Sequence, residues 1–166
     1  MRQKTILVAA VVLSALASPA LVGCSAATTE TLTVQSRYLE REVIEVVGGG
    51  GSSLGDMVAG HGELLDESGA IVGSFEAMST TTRVGSEDDG RFLQAEYAFG
   101  DTGADAILLM GVETFTRDGG FPEVGRPLLW AIVGGTGKYQ GARGQCDTQR
   151  NEQDVFINTC TFSTVG

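Results

Sequence analysis

The chain has 166 residues, with 21 acidic and 11 basic side chains and a formal net charge of −10 at pH 7. This acidity argues against a protein that binds DNA or RNA through phosphate contacts, and against a polybasic patch that attaches to a membrane surface. One histidine and three cysteines leave few ligands for zinc or haem, so we expect no metal site and no cofactor. The length fits a single domain with its own core.

The first residues have the features of a targeting segment. A short basic start precedes a long apolar, uncharged run that ends in the letters LVGC at 21–24. This ending resembles a bacterial lipobox and predicts a lipoprotein signal peptide over residues 1–23, with Cys24 lipidated as the new N-terminus. The alternative is an ordinary signal peptide cut near Ala20 or Ala26. On either prediction the protein is exported, anchored by lipid to the extracytoplasmic face of the cell membrane or secreted.

Residues 24–30 are small and polar and predict a lipidated tether, so the folded domain is predicted over 31–166. Short segments of this domain are rich in β-branched and aromatic residues and are separated by turns that contain glycine or proline. The charges of 38–47 are also compatible with a helix or an irregular edge. The predicted strands are 31–35, 38–47, 57–65, 70–82, 91–99, 106–114, 128–133, 142–149 and 155–162.

The segment 91–99 alternates most clearly between two faces. Leu93, Ala95, Tyr97 and Phe99 fall on one side, which we expect to face a core or lumen. Short strands at regular spacing, without a confident amphipathic helix, predict an all-β barrel or sandwich. Closure into a barrel would also remove exposed strand edges.

Cys146 and Cys160 are on either side of a polar stretch, 147–154, which is typical of a hairpin end. An antiparallel pairing that turns near Gln153 would place the two cysteines opposite each other. Because an exported protein occupies an oxidising compartment, we predict a Cys146–Cys160 disulfide. Two separate buried thiols are the alternative.

Several stretches resemble the allene oxide cyclase and dirigent families. The letters WAIVGGTGKYQGARGQ at 130–145 are similar to the C-terminal signature of these families. Other segments of the cyclases have similar stretches here, in the same order along the chain. These are the letters LGDMV at 54–58, Arg91-Phe92 and the letters YAFGD at 97–101. The resemblance covers about residues 31–164. It implies a single eight-stranded antiparallel β-barrel, calycin-like, with a hydrophobic lumen.

The resemblance also implies a function for the lumen. It would bind a hydrophobic small molecule and steer its isomerisation or cyclisation without a cofactor, as an isomerase or intramolecular cyclase. The alternative is a non-catalytic carrier lipoprotein for a lipophilic ligand, and a third possibility is a structural barrel packed solid. The plant cyclases use a lumen glutamate, and the first-strand region at 31–36 has no acid at the matching place. A void with a buried carboxylate or His61 would favour chemistry, and a purely apolar void would favour carriage.

Candidate site residues follow from the predicted strands. His61, the only histidine, and Glu63 share a face of the segment 57–65. If that face lines the lumen, these two residues could orient a ligand or move a proton, as catalytic residues; if it faces outward, they are ordinary surface residues. The candidate ligand-binding residues, which could equally be plain core, are Phe75, Met78, Tyr97, Phe99, Met110 and Trp130.

Two further patterns carry little weight. Residues 51–55 match G-x-S-x-G, but a nucleophile elbow needs a strand–turn–helix context and a much larger fold, so we interpret this stretch as a loop. The glycines at 134–137 precede Lys138, but Tyr139 stands where a phosphate-binding loop needs serine or threonine. We therefore expect no nucleotide site.

Overall fold

The computed structural model describes residues 29–47, 51–116 and 121–164. The predicted signal peptide, the lipidation site at Cys24 and residues 25–28 of the tether lie outside the described residues. No helix in the described part of the chain is long and apolar enough to cross a membrane. The strands are β1 (Thr29–Ile44), β2 (Met57–Leu65), β3 (Ile71–Val84), β4 (Asp88–Phe99), β5 (Asp105–Thr116), β6 (Leu128–Gly135), β7 (Arg143–Arg150) and β8 (Val155–Ser163), with a 3-10 helix at Gly137–Tyr139.

The eight strands form one closed antiparallel barrel. Each strand pairs with the next along the chain, and β8 pairs with β1 from Thr29 opposite Ser163 to Arg37 opposite Val155. All eight neighbouring pairs are antiparallel, so no strand in the barrel is left with an unpaired side. The predicted all-β, eight-stranded barrel is confirmed.

Alternating side chains build the interior. On β4, Leu93, Ala95, Tyr97 and Phe99 are buried, whereas Gln94 and Glu96 between them are exposed, as the sequence pattern predicts. Aromatic rings pack against one another, tilted or edge-to-face, at one end of the lumen. The Tyr139 ring lies 5.2 Å from the Phe99 ring and 5.7 Å from the Phe162 ring.

Many strand ends differ from the predicted ones by one or two residues, and β1 begins at Thr29, inside the predicted tether 24–30. Two differences are larger. The segments 31–35 and 38–47 belong to one long strand, β1, whose pairing with β2 shifts between Tyr38 and Glu40. At this bulge Leu39 is the extra residue, which has no partner on β2. In addition, β4 begins at Asp88, so the predicted loop at 84–90 is shorter, because Asp89 and Gly90 pair with β3 and β5.

The hairpin of β7 and β8 contains the disulfide. Cys146 is directly opposite Cys160, both side chains are fully buried, and the two sulfurs are bonded. The hairpin turns at 151–154, where the Asn151 N–H donates to the Val155 carbonyl oxygen at 2.9 Å and Asp154 has a φ of 60°. The predicted Cys146–Cys160 pairing is confirmed.

Candidate ligand-binding lumen

A small cavity of about 30 Å³ lies inside the barrel, towards the end where β4 begins and β5 ends. A void of this size has room for only one or two water molecules. Its wall is mainly aromatic, with a few polar groups. The rings that line it include those of Tyr38, Phe75, Tyr97, Phe115, Trp130 and Phe156.

Three inward-facing glycines provide the space for three of these rings. Each glycine is in a strand, and each contacts the face or edge of one aromatic side chain, so a side chain at the glycine would collide with the ring. An added Cβ would lie 2.7 Å from Tyr38 Cε1 at Gly60, 2.6 Å from Phe75 Cε1 at Gly62 and 2.6 Å from Trp130 Cδ1 at Gly111.

Glu113 is the ionisable group that lines the cavity from β5. Its side chain is buried, with 4 % of the residue exposed, and Oε1 accepts a hydrogen bond from the Trp130 indole N–H. Burial raises the pKa of Glu113 to about 7, although the Trp130 hydrogen bond and the charges of Arg126 and Arg91 act to lower it. Near neutral pH the carboxyl group therefore exists in both forms and can donate or accept a proton.

Glu113 belongs to a row of polar side chains that runs across three strands. Thr81 on β3 is directly opposite Arg91 on β4, and Arg91 is directly opposite Glu113 on β5. The Arg91 guanidinium stacks on the Phe115 ring at 4.6 Å. Burial lowers the pKa of Arg91, while the negative charges of Asp89, Asp56 and Glu113 act in the opposite direction.

Asn158 organises the polar groups deeper in the lumen. Its Oδ1 accepts hydrogen bonds from the Tyr97 hydroxyl at 3.0 Å and from Thr148 Oγ1 at 2.9 Å. Its Nδ2 donates to Ser36 Oγ at 3.2 Å and to the Val34 carbonyl oxygen at 3.2 Å. Burial raises the pKa of Tyr97, so its hydroxyl stays protonated, and the hydrogen bond to Asn158 fixes its orientation.

Phe121 covers the mouth of the cavity. Its ring lies 5.6 Å from the Tyr38 ring and 5.8 Å from the Phe156 ring. The Arg41 guanidinium, which also lines the cavity, lies over the Phe121 ring, 4.3 Å from the ring centroid. Next to it, Arg150 Nε donates to the Pro122 carbonyl oxygen at 2.7 Å. Phe121 and the side chains packed on it close the lumen in this way. A change of their rotamers would open it.

The structure places the sequence-selected His61 and Glu63 outside the lumen. His61 is exposed on the outer face of β2 and is directly opposite Glu76 of β3. Glu63 forms an ion pair with Arg37 at 2.5 Å, also on the outer surface. The inner face of β2 consists instead of Val58, the glycines at 60 and 62, and Leu64.

The six aromatic and sulfur residues selected from the sequence divide between two regions. Phe75, Tyr97 and Trp130 line the cavity, and Phe99 is buried among the aromatic rings at one end of the lumen. Met78 borders the cavity and also an open outer groove of about 590 Å³, and Met110 lines only that groove.

Sequence reasoning missed Glu113, Tyr38 and Asn158. A signal for Glu113 was present, because it continues the alternation of Ile107, Leu109 and Phe115 on one face of β5. For Asn158, the corresponding signal is its place between Phe156 and Cys160 on the buried face of β8.

The remaining motifs have structural roles or none. Ser53 of the G-x-S-x-G match lies in the loop before β2, where its Oγ donates to Asp56 Oδ1 at 2.6 Å. Asp56 Oδ1 also accepts from the Val46 N–H at 2.8 Å, and these hydrogen bonds lower the pKa of Asp56. Across the described ranges, no group of three or more His, Cys, Asp or Glu side chains is placed to hold a metal ion.

Solved structures share this architecture at low sequence identity. A pyocyanin demethylase superposes with a TM-score of 0.63 and 20% identity, over 80% of this chain and 99% of that chain. A pterocarpan synthase dirigent protein gives 0.62 and 17%, over 90% and 96%. An exo-specific intermolecular Diels–Alderase gives 0.54 and 11%, over 82% and 98%. Scans against protein-family models and curated proteins give no match. The chain thus shares its fold with dirigent and Diels–Alderase barrels.

Proposed function

We propose that the lumen binds one hydrophobic small molecule and steers its isomerisation or cyclisation, with Glu113 as the group that moves the proton. The observation that carries this proposal is a buried carboxyl group, with a pKa near 7, in a cavity wall made largely of aromatic and aliphatic side chains. A carboxyl group whose pKa matches the ambient pH is suited to general acid–base catalysis.

The proposed chemistry needs no net supply of protons. In its protonated form, Glu113 transfers its proton to an oxygen or carbon of the bound molecule as a bond rearranges. The resulting carboxylate then takes a proton from another carbon or oxygen of the same molecule, so the product is an isomer and Glu113 returns to its first state. The aromatic wall contributes by holding one reactive conformer, which lowers the entropic part of the barrier.

The solved structures of this fold are consistent with such a role. A Diels–Alderase joins two partners into a ring, and the dirigent protein is named as a pterocarpan synthase. These activities are those of the two solved proteins. They support the proposal for this chain only in that a barrel of this architecture can hold a reacting small molecule.

Binding requires the mouth to open, because the closed cavity has room only for water. Phe121 is held by ring packing and by the Arg41 stack at 4.3 Å. Each such contact contributes only about 1 kcal/mol. Burial of an apolar ligand's surface can exceed this cost, at about 25 cal/mol per Å².

The first experiment is native mass spectrometry of the protein purified from its own host, with extraction of small molecules. We expect a lipophilic compound at one copy per barrel, and this compound is then the substrate for a turnover assay. Glu113→Gln should keep binding and lose turnover by about 100-fold or more. Glu96→Gln, an exposed acid on the outer face of β4, is the matched control and should change neither.

Other outcomes would redirect the assignment. Binding with no turnover, or full turnover in Glu113→Gln, would argue against the proton-transfer role; binding without turnover is the behaviour expected of a carrier. Loss of turnover in His61→Ala or Glu63→Ala would instead assign chemistry to the residues selected from the sequence. If the barrel is recovered without a ligand and does not bind a hydrophobic fluorescent probe, the result would favour a structural role for the protein.

We also propose that the protein is exported and anchored to the extracytoplasmic face of the membrane through lipid on Cys24. The proposal rests on the lipobox-like letters at 21–24. The wild-type protein should then partition into detergent, and its intact mass should show the diacyl group. Cys24→Ser should abolish both features. An unmodified mature chain that begins near Leu21 or Ala27 would indicate ordinary secretion.

A further inference from the structure

The row of polar side chains next to Glu113 contains buried groups with unused hydrogen-bonding capacity. Within the part of the chain that the structure describes, both carboxylate oxygens of Asp89 lack a hydrogen-bond partner, as do Thr81 Oγ1 and the Nε and Nη1 atoms of Arg91. Asp89 is fully buried, and Thr81 and Arg91 are 2 % and 8 % exposed. Because an unpartnered buried polar group is costly, a set of this kind indicates a position built to receive something.

We call Thr81, Asp89 and Arg91 the polar subsite. This subsite adjoins the cavity. Arg91 is directly opposite Glu113, which lines the cavity, so their Cβ atoms are about 5 Å apart. The Arg91 guanidinium lies on the ring of Phe115, another residue of the cavity wall, and Asp89 is directly opposite that residue. The three residues of the polar subsite lie beside the cavity wall and do not line the cavity itself, so a ligand reaches them by widening the lumen at the end that carries Glu113.

The chemistry of the polar subsite restricts the group that fits. The Asp89 carboxylate only accepts hydrogen bonds, and the Arg91 guanidinium only donates them. A ligand carboxylate would have no proton for Asp89 and would be repelled by its charge. A ligand ammonium would have no lone pair to accept a hydrogen bond from Arg91. A hydroxyl group donates to Asp89 and accepts from Arg91, with Thr81 available for either role.

We propose that the polar subsite binds a neutral hydroxyl group of the lumen ligand, so that the ligand class is an uncharged, apolar alcohol or phenol. This inference rests on the proposed function, since it requires that the lumen binds a small molecule. It adds what that function leaves open, namely the polar group at one end of the ligand. A water molecule could satisfy the same atoms, and a ligand hydroxyl would then displace it.

The test uses four probes with one apolar body: cyclohexylmethanol, its methyl ether, cyclohexanecarboxylate and cyclohexylmethylammonium. Trp130 is the only tryptophan in the sequence, and it lines the cavity, so its indole N–H signal in a ¹H–¹⁵N NMR titration reports binding in the lumen. We expect the alcohol to bind about tenfold or more tightly than each of the other three. The ether is the sharpest comparison, because it accepts from Arg91 but has no proton for Asp89.

Asp89→Asn should reduce the preference for the alcohol over the carboxylate by about tenfold, since it removes the charge and supplies a donor. Asp88→Asn is the matched control: Asp88 is the preceding residue, it is 47 % exposed, and it pairs with Arg83 at 3.0 Å outside the lumen. The control should keep the wild-type preference. If Asp89→Asn fails to fold, the four probes on the wild-type protein decide alone.

The possible results distinguish the hydroxyl subsite from the proposed binding of a small molecule in the lumen. Equal affinity for the four probes, with the Trp130 signal moving for each, would overturn the hydroxyl subsite and leave lumen binding intact. Tighter binding of the carboxylate or the ammonium than of the alcohol would overturn it as well. No movement of the Trp130 signal with any probe would overturn both proposals.

Discussion

The Trp130 indole donates its N–H to Oε1 of Glu113, and both side chains are buried inside the barrel. Burial disfavours the carboxylate form of Glu113, whereas this hydrogen bond favours it, and burial is the larger effect. Two structural features set the pair in place. The alternation of β5 turns Glu113 inward, and the absent side chain of Gly111 leaves room for the indole ring.

The first prediction concerns stability as a function of pH. The pKa of Glu113 is about 7 in the folded protein against 4.5 for an exposed glutamate in the unfolded chain, so the folded state holds the proton more tightly than the unfolded state. Its contribution is fully present below pH 4.5 and is lost as the pH rises through 7. The free energy of unfolding of Glu113→Gln, minus that of the wild type, should therefore rise by about 2–3 kcal/mol from pH 5 to pH 8.

Urea unfolding at a series of pH values measures this difference. Glu96→Gln is the control, because Glu96 is exposed on the same sheet and should give a difference that hardly changes with pH. A constant difference between wild type and Glu113→Gln over this range would mean that the pKa of Glu113 is not raised. The carboxyl groups of Asp56 and Asp66, whose pKa values are lowered, change stability only at more acidic pH and do not interfere.

Sequence reasoning reached the barrel because its signals are local. The alternation at 91–99, the glycine-rich turn after Val133 and the polar hairpin end between Cys146 and Cys160 each depend on neighbouring residues only. The bounds of β2 were predicted at the residues where the structure has them, 57–65. Resemblance to known families added strand number and closure, which no local pattern specifies.

The site was harder to predict, because it depends on which face of a strand turns inward. On β2 the inner face carries two glycines, so its hydrophobic pattern is weak, and the sequence favours His61 on the opposite face as a candidate residue. On β5 the outer face carries Leu108, Met110 and Val112, so both faces are apolar and Glu113 did not stand out. The deciding information is the close packing of Tyr38 and Phe75 over glycines of a neighbouring strand, which is a tertiary property.

The second prediction tests that packing. In Gly111→Ala, the added methyl group would lie 2.6 Å from Trp130 Cδ1, so the indole must shift or the strands must separate. We expect a loss of about 1–3 kcal/mol in the free energy of unfolding, together with a change in Trp130 fluorescence. Gly134→Ala is the control, since its nearest atom outside the neighbouring residues is Leu108 Cδ1 at 3.6 Å, and it should be close to neutral. Equal effects would show that Gly111 is not needed for the ring.

The third prediction concerns Asn158. Replacement by leucine keeps a similar volume but leaves the hydroxyls of Tyr97 and Thr148 without their acceptor, and the Val34 carbonyl oxygen without its donor. Each unpaired buried group costs about 1–3 kcal/mol, so Asn158→Leu should lose about 3–5 kcal/mol. Tyr97→Phe removes one hydroxyl while Thr148 still donates to Asn158, and should lose only about 1 kcal/mol. Urea unfolding of both variants measures the contrast, and similar losses would contradict a central role for Asn158.

The fourth prediction concerns the disulfide between Cys146 and Cys160, which are 14 residues apart. A crosslink over a loop of this length restricts the unfolded chain and stabilises the fold by about 3 kcal/mol. The Cys146→Ser, Cys160→Ser double variant should therefore unfold at lower urea concentration than wild type in the absence of reductant. Reductant should lower the stability of the wild type and leave that of the double variant unchanged.

Thiol counting gives an independent check on the same bond. In a Cys24→Ser background the only cysteines left are the two on β7 and β8, so denatured protein should show no free thiol before reduction and two after it. Two free thiols before reduction would contradict the bond. The bond joins the last two strands of the barrel, and β8 also pairs with β1. Loss of the bond should therefore weaken the closure between β8 and β1, seen as faster amide exchange along β8 than along β3 and β4.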